Sequence, residues 1–130
     1  MIALMRTARL LAIGTFGVLS LVAVPAHAAD CKLAIEQTEY LADLGRRAFD
    51  SWNYVQAAQF GGDARIPAID ASRLAKACGC KDAIEPLDDV VVTAQRANLA
   101  FNLDMGQQYA ARIIKDSNLA LAALQRCSTG

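Results

Sequence analysis

The sequence predicts an all-α fold: two tandem helical hairpins packed as a small four-helix bundle and stapled by two disulfides. Three observations carry this reading. The four cysteines, Cys31, Cys78, Cys80 and Cys127, are placed symmetrically, with 47 positions from the first to the second and 47 from the third to the fourth. Helix-forming residues in amphipathic periods fill the segments between them. The only β-branched run, Val90-Val91-Val92, lies inside a helical period.

The cysteine spacing suggests a segment written twice. Sliding the chain along itself by 49 positions pairs Cys31 with Cys80 and Cys78 with Cys127. It also brings identical residues together at Lys32/Lys81, Ala34/Ala83, Ile35/Ile84, Glu36/Glu85, Arg47/Arg96, Ala48/Ala97, Asn53/Asn102, Gln59/Gln108 and Ala71/Ala120. Composition alone would give about four such pairs, and no gap is needed to obtain these nine. Aromatic character is kept at Trp52/Phe101 and Phe60/Tyr109. The expected organisation is a leader over residues 1–28 and one helical domain over 29–130, with repeat halves 31–78 and 80–127.

The leader expectation rests on Arg6 and Arg9 without an acid, an uncharged apolar run from Leu10 to Val24, then Pro25 and the small-x-small triplet Ala26-His27-Ala28. Cleavage is expected after Ala28. The apolar run is short for a membrane span of about 20 residues, and Asp30 before Cys31 is unsuited to a lipoprotein signal. The sequence thus points to a periplasmic or secreted protein with no stable membrane insertion after cleavage. In an oxidising compartment four cysteines default to two disulfides. A Cys78–Cys80 bond across one glycine is strained, which leaves two pairings: Cys31–Cys78 with Cys80–Cys127, the preferred one, or Cys31–Cys80 with Cys78–Cys127.

Along the chain, a first helix is expected over Lys32–Phe60. Its apolar stripe is Ala34, Leu41, Leu44, Ala48, Trp52 and Val55, and Glu36, Glu39, Asp43, Arg47 and Asp50 lie opposite. Gly61-Gly62-Asp63 ends it. A second helix is expected from near Pro67 to Gly79. Asp82 and Glu85 resemble a capping box opening a third helix, whose core stripe is Ala83, Leu87, Val90, Ala94, Ala97 and Phe101. Val92, Leu99 and Leu103 form a second apolar strip on that helix, expected to be buried between neighbours or else offered to a partner. The boundary to the fourth helix is expected at Gly106 or at Lys115-Asp116-Ser117-Asn118. Asn53 and Asn102 are expected as a buried polar pair fixing the register of the hairpins.

Several chemistries lack their residues. The one histidine, His27, falls in the leader, which removes Ser-His catalysis and the Glu-x-x-His pattern of di-iron bundles. No metal ligand set or cofactor motif is found; Gly61-Gly62 is followed by no phosphate-loop fingerprint. Without Arg6 and Arg9 the remaining chain holds 11 basic and 13 acidic residues, with no basic cluster for nucleic acid. The functional expectation is an exported, non-catalytic protein acting through a protein partner or self-association, in an accessory, inhibitor, immunity or chaperone-like role. Candidate contact residues are Val92, Leu99, Leu103, Tyr40, Arg47 and Tyr54, since tyrosine and arginine are frequent at interfaces. The alternative is a thiol redox or Cu(I)-handling protein using Cys78 and Cys80.

The mass of the exported protein checks this directly. It is expected to equal that of Ala29–Gly130 less four hydrogens, with no cysteine open to alkylation before reduction.

Overall fold

A computed structural model describes residues 23–129, with side chains from Cys31 onward. The leader expected over residues 1–28 lies outside the described residues as far as position 22. Five helices account for the rest: α1 (Ala23–Phe49), α2 (Tyr54–Asp63), α3 (Arg65–Ala77), α4 (Lys81–Ala97) and α5 (Leu103–Thr129). α2 and α3 are separated only by Ala64, so together they read as one helix with a kink. Around the bundle, α1 packs against α3 and α5, and α4 packs against the same two; α2 lies against α1, α4 and α5. Among the described residues there is no strand, and no helix is long and apolar enough to cross a membrane.

Two disulfides gather one end of this bundle. Cys31 near the start of the described α1 side chains is bonded to Cys78 at the end of α3, and Cys80 at the start of α4 is bonded to Cys127 near the end of α5. Gly79 lies between the two bonds with φ 77°, a left-handed conformation that a side chain would strain. Each bond closes a loop of 47 positions, for which the chain-entropy model gives about 3–4 kcal/mol of stabilisation.

That contribution matters because the core is built from small side chains. Ala34, Ala48, Ala68, Ala71, Ala75, Ala83, Ala94 and Ala120 are fully enclosed, and the largest fully enclosed apolar side chains are only Leu41, Leu87, Ile113, Leu124 and Val90. Small residues bury little area each, so cohesion depends on close helix approach and dense packing. A Cβ placed on Gly61 would sit 2.8 Å from the Ala97 Cβ, and one on Gly45 would sit 2.9 Å from Ile114 Cγ1. Glycine at these two positions is what lets α2 approach α4 and α1 approach α5.

Several sequence expectations are corrected here. The first helix stops at Phe49 instead of running to Phe60, because Asn53 caps a new helix: its Oδ1 accepts from the Gln56 backbone N–H at 2.9 Å. Asn102 does the same for α5, accepting from the Met105 N–H at 2.8 Å. The two asparagines are thus exposed caps, not a buried pair. α5 begins at Leu103, so neither Gly106 nor Lys115–Asn118 is a boundary. Asp82 and Glu85 form no capping box: the residue at the α4 cap is Cys80, without a side-chain cap bond. In the core stripes Leu41, Leu44, Ala48, Ala83, Leu87, Val90, Ala94 and Ala97 are buried, whereas Trp52, Val55 and Phe101 are exposed.

Between helices the polar contacts are few. Ser72 Oγ donates to Asp88 Oδ1 at 2.7 Å across α3 and α4, and Arg112 Nε donates to Asp89 Oδ2 at 3.1 Å across α5 and α4. Ser117 is wholly enclosed and its hydroxyl has no partner among the described residues. Replacing it with alanine removes an unsatisfied buried hydroxyl, so Ser117→Ala is expected to raise stability by about 1 kcal/mol. Gly61→Val forces α2 away from α4 and is expected to lower stability by about 1–3 kcal/mol. Urea unfolding of the two variants beside the parent protein measures both.

Candidate interaction surface

The two loops opposite the disulfides are built alike. After α1 the chain runs Ser51-Trp52-Asn53, and after α4 it runs Ala100-Phe101-Asn102. The small residue of each triplet is buried, Ser51 and Ala100 both at 6% exposure, and the asparagine caps the next helix. Both neighbours of the aromatic residue are therefore committed inward or to capping, and the ring between them is turned to solvent. Trp52 is 89% exposed and Phe101 72%. Ser51 Oγ also donates to the Arg47 carbonyl at 2.8 Å, holding the first loop against the end of α1.

A side-chain bond ties the end of α1 to the start of α5 at this end. Gln107 Nε2, in the first turns of α5, donates to the Phe49 carbonyl at 3.0 Å. Ala57 and Gly106 bring α2 and α5 together just behind, with a Cβ on Gly106 falling 3.0 Å from that of Ala57. The surface at this end carries Trp52 and Phe101 with Leu99, 76% exposed, and the less exposed Phe49, Tyr54 and Val55. Leu99 continues into a shallow groove with Gly62, Ile66 and Asn98. Arg46 and Arg47 stand in the last turn of α1 and Arg96 in the last turn of α4, around the apolar group. Arg47 Nε lies 3.0 Å from Asp43 Oδ2. Scattered exposed apolar residues are ordinary; a set at one end of the bundle with aromatic members, and with arginines in the adjoining helix turns, has the composition of a contact site.

The structure distributes the six contact residues expected from sequence. Leu99, Leu103, Arg47 and Tyr54 all lie at this loop end, Leu103 half-buried as the first residue of α5. Val92 and Tyr40 do not join them. Val92 faces the groove between α4 and α5, and Tyr40 sits with Leu33, Glu36 and Leu74 between α1 and α3. The strip Val92–Leu99–Leu103 is broken because α4 ends at Ala97, and the expected burial of its members between neighbours does not occur for Val92 or Leu99. Sequence reasoning missed Trp52 and Phe101 as surface residues by reading a continuous helix through each. The signal that identifies them is the repeated small–aromatic–Asn triplet, with asparagine as a helix cap.

A second feature had no sequence signal. The groove of about 770 Å³ between α4 and α5 is lined by Asp89, Arg112 and Asp116 among others. Arg112 holds both oxygens of Asp89, at 3.1 and 3.3 Å. Asp116, one turn further along α5, has its Oδ2 buried without a hydrogen-bond donor. Burial, together with the hydrogen bond to Asp89 and its charge, pushes the Asp116 carboxyl up to about 7. Asp89 is held below its ordinary range by that same bond from Asp116 and by Arg112. A proton on Asp116 thus satisfies the contact between two acids on different helices.

Cys78 and Cys80 are bonded to different helices, and no described cysteine is free. Among the described residues no group of three or more His, Cys, Asp or Glu is placed to hold a metal ion. Compared with protein-family models, curated proteins and solved structures, the chain matches none.

The carboxyl pair makes a signed pH prediction. In the unfolded chain Asp116 ionises in the ordinary carboxylate range, whereas in the fold it keeps its proton to about pH 7. Its contribution therefore destabilises the fold progressively as pH rises from the ordinary range to about 7 and is constant above. Asp89 acts oppositely, contributing stability above the ordinary range that is lost in acid. Asp116→Asn supplies a permanent donor to Asp89, so it is expected to raise the melting temperature at pH 8 and leave it nearly unchanged at pH 4. An equal shift at both pH values would exclude the shared proton.

Proposed function

We propose that this chain is an exported, non-catalytic interaction protein that binds a protein partner, or a second copy of itself, through the loop end formed by Trp52, Leu99 and Phe101. The observation that carries the reading is the outward placement of these three side chains, each more than 70% exposed, on the two loops at the end of the bundle opposite the disulfides. Aromatic side chains deliver large contact area at low entropic cost, and arginine at the rim adds directional hydrogen bonds. Export to the periplasm agrees with the basic-then-apolar segment before Ala28 and with two disulfides, which persist in oxidising compartments.

The loop end is read as the product of an internal duplication, with halves 31–78 and 80–127 each forming a helical hairpin. Helix starts at Tyr54 and Leu103 stand 49 positions apart, as do the capping asparagines. Buried positions correspond under the same shift: Ala34 with Ala83, Thr38 with Leu87, Leu41 with Val90, Ala64 with Ile113, Ala71 with Ala120 and Ala75 with Leu124. Ala57 and Gly106, also equivalent, meet each other, which is the contact expected on an approximate two-fold axis. Such an axis brings the two aromatic loops to one end and makes a bipartite contact surface.

Site-specific photo-crosslinking in the exporting cell tests the function. A crosslinker at position 52 or 101 is expected to trap a discrete protein adduct, and one at the exposed Lys115 is not. Leu99→Asp is expected to abolish the adduct while leaving the free energy of urea unfolding within about 0.5 kcal/mol of the parent, as befits an exposed position. Absence of any adduct specific to the loop end would refute this assignment.

A further inference from the structure

The two disulfides, alike in spacing, differ in what surrounds their sulfurs. Cys31 and Cys78 are both 5% exposed, so both residues of the first bond are buried. In the second bond Cys80 is fully enclosed, but Cys127 is exposed, flanked by the exposed Arg126 and Ser128 in the last turns of α5. Thiol–disulfide exchange requires a thiolate to reach one sulfur in line with the bond while the other sulfur departs. Of the four cysteines Cys127 alone is an exposed residue, so the approach is open on its side.

The departing sulfur is also favoured at this bond. Attack on Cys127 expels Cys80, the residue that precedes α4; its Sγ makes no cap bond to the helix N–H groups and lies 3.3 Å from the Ala123 carbonyl, so the help to the leaving thiolate comes from the dipole of α4 and the nearby cations. Lys81 follows it directly, and Lys81 and Arg126 line the same end of the α4–α5 groove, with Asp82 as the opposing acid. At the first bond the arrangement is reversed: Cys78 caps the C-terminus of α3, where the dipole disfavours a thiolate, and Cys31 lies within α1. Accessibility and leaving-group stabilisation therefore select the same bond.

We propose that Cys80–Cys127 is a thiol-exchange bond, opened by an external dithiol that attacks the sulfur of the exposed Cys127 and releases the end of α5, while Cys31–Cys78 holds the fold. In the first step one thiolate of the dithiol bonds to Cys127 Sγ, the Cys80–Cys127 bond breaks, and Cys80 leaves with the electron pair and takes up a proton. In the second step the other thiol of the dithiol attacks its own bonded sulfur, freeing Cys127 as a thiol and closing the reagent to its disulfide. Two electrons and two protons pass from the dithiol to the protein, and the reverse sequence reseals the bond. The released segment is short, because Ala123 and Leu124 are still buried against the core.

The test is partial reduction of the native, fully oxidised protein with limiting dithiothreitol, rapid trapping by alkylation, and peptide mapping. Among molecules carrying two labels, Cys80 and Cys127 are expected to exceed Cys31 and Cys78 by at least about tenfold. Glutathione in place of the dithiol is expected to form its mixed disulfide on Cys127, and Lys81→Glu is expected to slow the first opening several-fold without slowing the second. Circular dichroism of the two-label species is expected to keep the parent helix content. Even labelling of all four cysteines, prior opening of Cys31–Cys78, a glutathione adduct on Cys80, or loss of helix at the first step would each overturn the proposal.

Discussion

The tripeptide Cys78-Gly79-Cys80 is the constraint on which the remaining structure depends. It ends α3, reverses the chain through one left-handed glycine and begins α4, while its two sulfurs tie down α1 and α5. Four helices are thereby pinned at one end within a few residues of each other. A core of alanine with few large side chains gives limited burial, and helices so lightly held need their ends fixed for close packing to be stable. Glycines at 45 and 61 then permit the approach that small side chains require.

Pinning one end leaves the other to the loops, and there the chain uses local hydrogen bonding instead of covalent bonds. Asn53 and Asn102 start new helices by accepting from backbone N–H groups three residues on, and Ser51 and Ala100 plug the ends of the core. The aromatic residue between plug and cap has no inward position left. Exposure of Trp52 and Phe101 is therefore a consequence of how the loops are closed, and apolar surface arises where the bundle itself has no use for the rings. The same economy of core polar groups makes exceptions conspicuous: the Asp89–Asp116 contact joins two acids across α4 and α5 and holds the proton of Asp116 above the ordinary carboxylate range.

Much of this was legible in the sequence, and for identifiable reasons. Helical class and the buried positions of the third predicted helix, from Ala83 to Ala97, follow from apolar periodicity, which backbone geometry enforces locally. Cysteine spacing narrowed the disulfide pairing to two arrangements, and only the spatial order of helix ends selects Cys31–Cys78 with Cys80–Cys127. Helix ends at Phe49 and Ala97 were misread because the apolar period continues past them through Trp52, Val55 and Phe101, whereas the decision to stop belongs to the asparagine caps. A period counts residues along one helix and does not register that a neighbouring turn has become the cap of the next.

By itself, then, the sequence determined the helical class, the cysteine framework and the polar and apolar faces, since these rest on interactions between residues close in the chain or on covalent chemistry. Tertiary structure alone decided which aromatic rings face solvent, which cysteine is exposed and which two carboxyl groups meet. Each of these depends on residues brought together from different helices, at separations along the chain for which a single sequence carries no periodic signal.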